Sequence, residues 1–290
     1  MSFALHRPAT LEEAVNLAGR LAPDAQFIAG GTDLVIQISR RRTAPSHVIA
    51  LPHLRELQGV TETTDGYRLG ALTTYRTVEL HPAFKGSLEA LIEAARVVGG
   101  QQVRNIATVG GNIANASPAA DFVPALLCLD ATLEIVGPAG PWTARLDGFI
   151  RGPGSTDLRP GEIVTAIDFD RPPERSATAF LKEGRRKAME ISVVCVAASI
   201  TLDARGTCAR ASIAIGAAAP RAFRVTEAER LLQGRAASRD VFAQAGQLAA
   251  QAVSPISDVR ASAEHRRYLV GVMVERVLTI CQQRILDNCS

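Results

Sequence analysis

Two glycine-centred segments stand out in this 290-residue sequence because their residue types could bind a phosphorylated ligand. The first is Ala29-Gly30-Gly31-Thr32-Asp33-Leu34, and the second is the stretch 108–121, with the sequence TVGGNIANASPAAD. Paired glycines let the backbone approach a ligand without obstruction by a Cβ atom, and successive N–H groups in such turns can hold an anion. The two segments together predict a cradle for a diphosphate.

Small polar side chains flank the glycines in both segments. Thr32, Thr108, Asn112 and Ser117 offer neutral hydrogen-bond donors, which favour phosphate without requiring a lysine or an arginine. Either segment alone is more simply a structural turn, whereas the two together favour a ligand site. Neither has the G-x-G-x-x-G pattern of a Rossmann site, and no P-loop motif occurs, so a flavin held in another fold remains open.

Composition and charge limit the other classes of function. Hydrophobic residues make up 47% and charged residues 21% of the chain, as in an ordinary globular protein. The net charge is only +3, and the basic runs 40–42 and 185–187 lack interleaved aromatics, which favours a solvated loop or subunit contact over nucleic-acid binding. No signal peptide or long apolar stretch is evident, which predicts a cytoplasmic protein without a membrane span.

The cysteines and histidines show no catalytic or metal-binding pattern. The five cysteines are widely spaced without a C-x-x-C pair, which argues against disulfides or an iron–sulfur site, and several lie in apolar runs typical of buried thiols. The five histidines fall outside both glycine segments, so we assign no catalytic or metal residue. For the same reason we expect a bound flavin to be non-covalent.

Element signals predict an α+β fold. In a first unit, about residues 1–55, a capping box at 10–13 begins a helix, and two apolar runs, at residues 26–29 and 48–51, predict strands. A second unit, about 56–173, has one helix that stops at Gly99-Gly100, a Gly- and Asn-rich stretch up to Asp121, and strand signals at residues 67–71, 132–136 and 162–169.

The C-terminal part, residues 174–290, follows the boundary signal Arg171-Pro172-Pro173-Glu174. Its last two strand signals are joined by the hairpin turn 203–206, so three runs predict a three-stranded antiparallel sheet: residues 177–182, 191–202 and 208–217. The remainder is predicted to be helical and to end in a long helix with Met273 on its apolar face.

The second glycine segment resembles a specific family motif. Residues 103–121, VRNIATVGGNIANASPAAD, are similar to the second flavin loop of the medium, FAD-binding subunits of molybdenum hydroxylases, and AGGTDL resembles their first. This family includes xanthine dehydrogenase and carbon monoxide dehydrogenase. The likeness continues through residues 180–194 and 265–269, so it covers essentially the whole chain.

The resemblance implies a two-subdomain FAD-binding fold of the vanillyl-alcohol-oxidase type, followed by a C-terminal domain of sheet and helices. The two glycine segments would surround the diphosphate and ribityl chain, and Asp121 would accept a hydrogen bond from the flavin or ribityl group. Val98 would lie near the cofactor, and Val164, Lys182 and Ile191 would approach the flavin end. With Ser117 from the polar flank, the predicted cofactor-binding residues are Phe27, Ile28, Ala29, Gly30, Gly31, Thr32, Asp33, Leu34, Val98, Thr108, Val109, Gly110, Gly111, Asn112, Ser117, Asp121, Val164, Lys182 and Ile191.

Four of these residues have a second interpretation. Asp33 would be repelled by a diphosphate, which favours capping of local N–H groups over cofactor contact. Asp121 could equally be the N-cap of a helix that begins at Phe122, and Lys182 could be a solvated strand residue. The aliphatic side chain of Ile191 disfavours the aromatic stacking on flavin that some relatives have.

The resemblance also implies an electron-transfer role. In this family a large molybdenum-pterin subunit hydroxylates the substrate, a small subunit carries two 2Fe–2S clusters, and electrons pass through FAD to an external acceptor. The implied partners are these two subunits, in a dimer of heterotrimers. The alternative is a stand-alone FAD-dependent oxidase or dehydrogenase of the same superfamily, which would need its own substrate pocket. An interaction subunit without FAD is disfavoured, because both glycine segments are intact.

Overall fold

The N-terminal unit of the computed structural model, which describes residues 3–186 and 189–288, is a small parallel sheet with two helices. Its elements are β1 (Ala4–His6), α1 (Leu11–Leu21), β2 (Ala25–Ile28), α2 (Leu34–Ser39) and β3 (His47–Ala50). The strand order is β1-β3-β2. The predicted N-cap at Thr10 is confirmed, because Thr10 Oγ1 accepts from the N–H of Glu13 at 3.1 Å; the Glu13 carboxylate accepts from the N–H of Ala9 at 2.7 Å, one residue before the N–H that a capping box uses.

The second unit, as far as the described residues go, is a five-stranded antiparallel sheet flanked by short helices. Its elements are β4 (Val60–Glu62), β5 (Gly66–Gly70), α3 (Tyr75–Leu80), α4 (Glu89–Arg96), α5 (Gln101–Arg104), α6 (Val109–Asn115), α7 (Phe122–Cys128), β6 (Thr132–Gly137), β7 (Gly140–Arg145), β8 (Ile150–Gly152), β9 (Ser155–Thr156) and β10 (Ile163–Asp170), with 3₁₀ turns at Arg55–Leu57 and Pro82–Phe84. The order is β4-β5-β10-β6-β7, and β8 pairs with β9. The Gly- and Asn-rich stretch contains two helices, α5 and α6, which its low helix propensity does not predict.

The C-terminal part contains an antiparallel sheet followed by helices. Its elements are β11 (Ser176–Glu183), β12 (Val194–Leu202), β13 (Cys208–Gly216), β14 (Phe223–Arg224), α8 (Thr226–Leu232), α9 (Arg239–Ala252) and α10 (Ala263–Asp287). Among the described residues the sheet has four strands, in the order β11-β12-β13-β14, so the predicted three-stranded sheet gains a short edge strand of two residues. The second strand begins at Val194, so the prediction that it begins at Ile191 is wrong.

Both faces of the C-terminal sheet are apolar and covered. Along β12, Cys195 and Ala197 join the core of the second unit, whereas Val194, Val196 and Ala198 join a separate core with the C-terminal helices. Successive strand residues point to opposite faces, so a continuous apolar run is what a doubly covered sheet requires. Helices α4 and α7 pack on one face, and α8 and α10 pack on the other.

The C-terminal helices complete this core without a membrane-spanning segment among them. Helix α10 has 25 residues, and Val270, Met273 and Val277 on its inner side are buried, as predicted for Met273. No helix within residues 3–186 and 189–288 is long and apolar enough to cross a membrane.

The cysteines of the described residues are buried and unpaired. They are Cys128, Cys195, Cys208 and Cys281, and this confirms the prediction of small buried thiols in apolar runs; Cys289 lies outside the described residues. Burial raises the pKa of the Cys208 thiol to about 11, so the group stays protonated at neutral pH.

Candidate functional site

Both glycine segments line one cavity of about 400 Å³. The floor and walls are mostly apolar and include Ala71, Leu72, Val103 and Leu158. The predicted residues that the structure brings together around this cavity are Phe27, Ile28, Ala29, Gly30, Gly31, Thr32, Asp33, Leu34, Val98, Thr108, Gly110, Gly111, Asn112 and Val164. Segments that are about 80 residues apart in sequence therefore share one site, although their contact with a cofactor stays a prediction.

Five predicted residues lie outside the described lining of this cavity. Val109 is fully buried in the protein core, and Ser117 Oγ accepts from the N–H of Ala119 at 3.3 Å, which fixes a local turn. Ile191 is 56% exposed on the surface. Asp121 and Lys182 pair with each other. A cofactor contact for these residues stays a prediction that the cavity itself does not support.

The glycines of the two segments make room for protein rather than only for a ligand. A Cβ atom on Gly30 would lie 1.9 Å from the carbonyl oxygen of Ile106, so the first segment touches the backbone just before the second. A Cβ atom on Gly110 would lie 2.6 Å from the Cβ atom of Ala71. At these two positions the missing side chain permits the segments to pack. Close packing is therefore a second reason for glycine here, besides access of the backbone to a ligand.

The second segment is anchored by capping and by main-chain bonds. Thr108 is the N-cap of α6, and its Oγ1 accepts from the N–H of Gly111 at 3.2 Å. The N–H of Val109 donates to the Thr73 carbonyl at 3.0 Å, and that of Gly110 donates to the Ala71 carbonyl at 2.8 Å. The segment that we interpreted as a glycine turn is therefore the first turn of a helix held against the end of β5.

The first segment has weaker support. Asp33 precedes α2 but makes no side-chain capping bond with any described residue, so the prediction that it caps local N–H groups is wrong. Partial burial raises the pKa of its carboxyl above the usual value. All of α2 is described, and none of its residues is buried. Its Gln37 Nε2 donates to Asn115 Oδ1 of the second segment at 3.2 Å.

A buried ion pair joins the C-terminal sheet to the start of α7. Lys182 Nζ donates to Asp121 Oδ2 at 2.7 Å, and Ser192 Oγ donates to the other carboxylate oxygen. The Lys182 side chain is only 11% exposed, so its interpretation as a solvated residue is wrong, and Asp121 makes no side-chain cap with described residues at the start of α7. Burial raises the pKa of the Asp121 carboxyl, and this effect exceeds the lowering of the same pKa by Lys182 and Ser192.

Two cations hold the turn that carries Val98 into the cavity wall. Lys182 Nζ also donates to the carbonyl of Val97 at 3.3 Å, and Arg104 Nη1 donates to the carbonyls of Val98 and Gly99 at 3.4 Å. The position of this wall thus depends on a lysine from the C-terminal sheet as well as on residues of its own unit.

Two residues of the cavity lining carry a buried polar atom that has no partner among the described residues: the hydroxyl of Tyr75 and Oδ1 of Asn112. Buried polar groups are nearly always hydrogen-bonded, so such atoms point to a ligand. Sequence reasoning included Asn112 but missed Tyr75 and Ser192, because a tyrosine in a first helical turn and a serine before a strand are ordinarily structural.

The two parts of the chain match two family descriptions. Residues 1–171 match the FAD binding domain in molybdopterin dehydrogenase, and residues 179–280 match the CO dehydrogenase flavoprotein C-terminal domain. The xanthine dehydrogenase FAD-binding subunit of Escherichia coli is 36% identical over 276 residues, which are 94% of each chain. The nicotinate dehydrogenase FAD-subunit of Eubacterium barkeri is 37% identical over 237 residues, which are 80% of each chain.

Solved structures have the same fold. A chain of the reconstituted CO dehydrogenase from Oligotropha carboxidovorans superposes with a TM-score of 0.94 at 31% identity, covering 98% of this chain and 99% of that chain. The fold and the cavity together define a flavin-binding component of an oxidoreductase. This chain belongs to the family of FAD-binding subunits of the molybdopterin dehydrogenases, with FAD as its cofactor, which confirms the predicted family and fold class.

The residues around the cavity fit FAD. The unpartnered Tyr75 hydroxyl and Asn112 Oδ1 can serve a polar ligand, while the apolar wall suits a planar ring system. The turn at Gly31 has a φ of +71°, which favours glycine and lets the backbone curve around a ligand. Among the described residues no group of three or more His, Cys, Asp or Glu side chains could hold a metal ion.

Proposed function

We propose that this chain holds FAD non-covalently and transfers electrons within a molybdenum hydroxylase complex, from 2Fe–2S clusters of a partner subunit to an external acceptor. The observation that carries the proposal is the cavity of about 400 Å³ that both glycine segments line, in which two lining residues, Tyr75 and Asn112, carry buried polar atoms without partners among the described residues. FAD supplies one- and two-electron redox chemistry when bound. The protein's part is to position it.

The described residues have three tasks in this proposal. The predicted residues that line the cavity surround the cofactor, and the hydrogen bonds of Thr108, Val109 and Gly110 keep the second segment rigid. Lys182 and Arg104 fix the wall at Val98. We assign Asp121 to holding Lys182 in place, because both of its carboxylate oxygens have protein donors.

The proposed partners are a small iron–sulfur subunit and a large molybdopterin subunit, in a dimer of heterotrimers. The relatives are described as FAD-binding subunits and as medium chains, which supports a multi-subunit complex. The buried, unpaired cysteines of the described residues support a reducing, cytoplasmic location.

We divide the chain into an FAD-binding domain, residues 1–173 with subdomains 1–55 and 56–173, and a C-terminal domain, 174–290.

Flavin content tests the first half of the proposal. The purified 290-residue chain, reconstituted with FAD, should show flavin absorbance, and acid precipitation should leave the colour in the supernatant because neither glycine segment has a histidine or cysteine. Colour retained in the pellet would show a covalent link. A chain that takes up no flavin would overturn the proposal.

Activity and association test the second half. The chain purified from its native source should elute with two partner subunits, and the isolated, FAD-loaded chain should pass electrons from a chemical reductant to an artificial acceptor without hydroxylating N-heterocycles, aldehydes or purines. Turnover of an organic substrate by protein free of molybdenum and iron would favour the stand-alone oxidase instead. Elution from the native source as a monomer alone would exclude the complex.

A further inference from the structure

Tyr75 is the residue of the cavity lining whose chemistry is unaccounted for. Tyr75 belongs to the cavity lining, its side chain is 1% exposed, and its buried hydroxyl has no partner among the described residues. We propose that this hydroxyl donates a hydrogen bond directly to bound FAD. The inference rests on the proposed function only in that FAD occupies this cavity, and it adds a polar contact that the sequence does not indicate.

Packing fixes the tyrosine ring independently of its hydroxyl. The ring meets Phe122 edge to face, with centroids 5.2 Å apart, and the N–H of Tyr75 donates to the carbonyl of Ala107 at 3.2 Å. Thr74, the N-cap residue of α3, accepts from the N–H of Thr77 at 3.2 Å and sets the start of this helix. Because these contacts hold the ring, the hydroxyl has a defined position beside the lining residues.

The hydroxyl is a donor at neutral pH. Burial raises the pKa of the Tyr75 phenol well above its usual value, and the charges of Asp121 and Asp33 raise it further. The group therefore keeps its proton and needs an acceptor. A buried hydroxyl without one costs free energy, and a ligand acceptor would remove that cost on binding.

Tyr67 provides a matched control, because its hydroxyl already has a protein partner. It is 5% exposed, lies outside the described lining of the cavity, and its hydroxyl accepts from Arg171 Nη1 at 3.0 Å. Its ring packs between Phe84 and Phe169, with centroids 5.6 and 5.7 Å away. Tyr67→Phe therefore removes a structural hydrogen bond, whereas Tyr75→Phe removes a hydroxyl that no described residue binds.

The experiment compares Tyr75→Phe and Tyr67→Phe in the full 290-residue chain, measuring the melting temperature without FAD and the Kd for FAD. Tyr75→Phe should weaken FAD binding by about 5- to 10-fold, the worth of one hydrogen bond, while the melting temperature of the FAD-free chain stays the same or rises. Tyr67→Phe should lower that melting temperature and leave the Kd unchanged. Tyr75→Phe should thus change the Kd for FAD, and Tyr67→Phe should change the melting temperature of the FAD-free chain.

Two results would overturn the inference while leaving the proposed function intact. One is a wild-type Kd in Tyr75→Phe, which would show that the hydroxyl makes no contact with FAD. The other is a fall in the FAD-free melting temperature as large as that of Tyr67→Phe, which would show a structural role. Failure of the wild-type chain to bind FAD at all would instead reject the proposed function itself.

Discussion

The two glycine segments share one cavity but are supported differently. The second begins a helix whose N-cap, Thr108, is bonded to Gly111, and its main chain is tied to the residues that follow β5. The first precedes α2, where Asp33 makes no side-chain cap with described residues, and Val35 and Ile36 are about half exposed. The two segments have similar sequence patterns. The second forms a cavity wall that is fixed within its own unit, whereas the first forms a wall that is held largely by its contact with the second.

This difference separates two roles of glycine. In the second segment, Gly110 lets a helix pack against Ala71 within the core of one unit. In the first, Gly30 lets one unit touch the backbone of the other at Ile106, which closes the cavity. Substitutions in the second segment should therefore affect folding first, and those in the first should affect the site first.

The largest effect is expected for Gly30→Ala. A Cβ atom there would lie 1.9 Å from a main-chain oxygen, so the two segments must separate, and we expect FAD affinity to fall by about 100-fold or more, or ~3 kcal/mol. Gly152→Ala is the control, because its Cβ would meet no described atom within 4 Å. Titration of both variants with FAD measures the difference, and equal affinities would contradict the assigned contact.

Gly110→Ala should act mainly on stability. Alanine in place of a helical glycine favours folding by up to about 1 kcal/mol, but overpacking costs about 1–3 kcal/mol, and the 2.6 Å approach to Ala71 makes the second term larger. We expect a lower urea midpoint for the FAD-free chain. A higher midpoint would show that α6 can shift without cost, so that this wall is no better fixed than the other.

Thr108→Ala tests the cap that only the second segment has. Loss of the bond to the N–H of Gly111 should lower the free energy of unfolding by about 1 kcal/mol, the usual worth of a threonine N-cap. Urea unfolding of the FAD-free chain measures this change. Thr108→Ser, which keeps a hydroxyl, should restore most of it, and a serine variant as weak as the alanine variant would exclude the cap as the cause.

The smallest effect is expected for Asp33→Asn. Since partial burial raises the pKa of this carboxyl, its contribution to stability is present at low pH and is lost as the pH rises through the folded-state pKa. Asparagine should therefore stabilise the FAD-free chain at pH 7 by a few tenths of a kcal/mol at most, given solvent screening. The gain should vanish toward about pH 4. A loss of stability instead would show that the ionised carboxylate is favoured at the start of α2, since asparagine caps a helix as well as aspartate does.

Local signals in the sequence were sufficient for elements whose contacts are local. The N-cap at Thr10 and the hairpin turn closed by Asp203, which accepts from the N–H groups of Arg205 and Thr207, follow from short-range hydrogen bonds. Helix α6 does not, because its glycines disfavour a helix and main-chain bonds to Ala71 and Thr73 compensate. Those bonds join residues far apart in sequence, which periodicity does not reveal.

The site divides in the same way. Residues next to the glycine pairs were predictable, since a chain that curves around a ligand brings its neighbours with it. Asp121 and Lys182 were predicted as cofactor-binding residues. The structure pairs them with each other, and Asp121 also accepts from Ser192, which is 71 residues away in sequence. The Tyr75 hydroxyl was not predictable, because only the fold shows which buried side chain has no partner.

Because the C-terminal sheet is covered on both faces, the parts of the chain before and after residue 173 should fold as one cooperative unit, although the sequence signals a boundary there. One face of β12 belongs to the core of the second unit, and the other belongs to the core with α10. A chain cut at this point would yield two fragments that each expose a broad apolar surface, which favours aggregation over independent folding. A chimaera that takes the C-terminal sheet from a relative would therefore also need helices α4 and α7 from that relative.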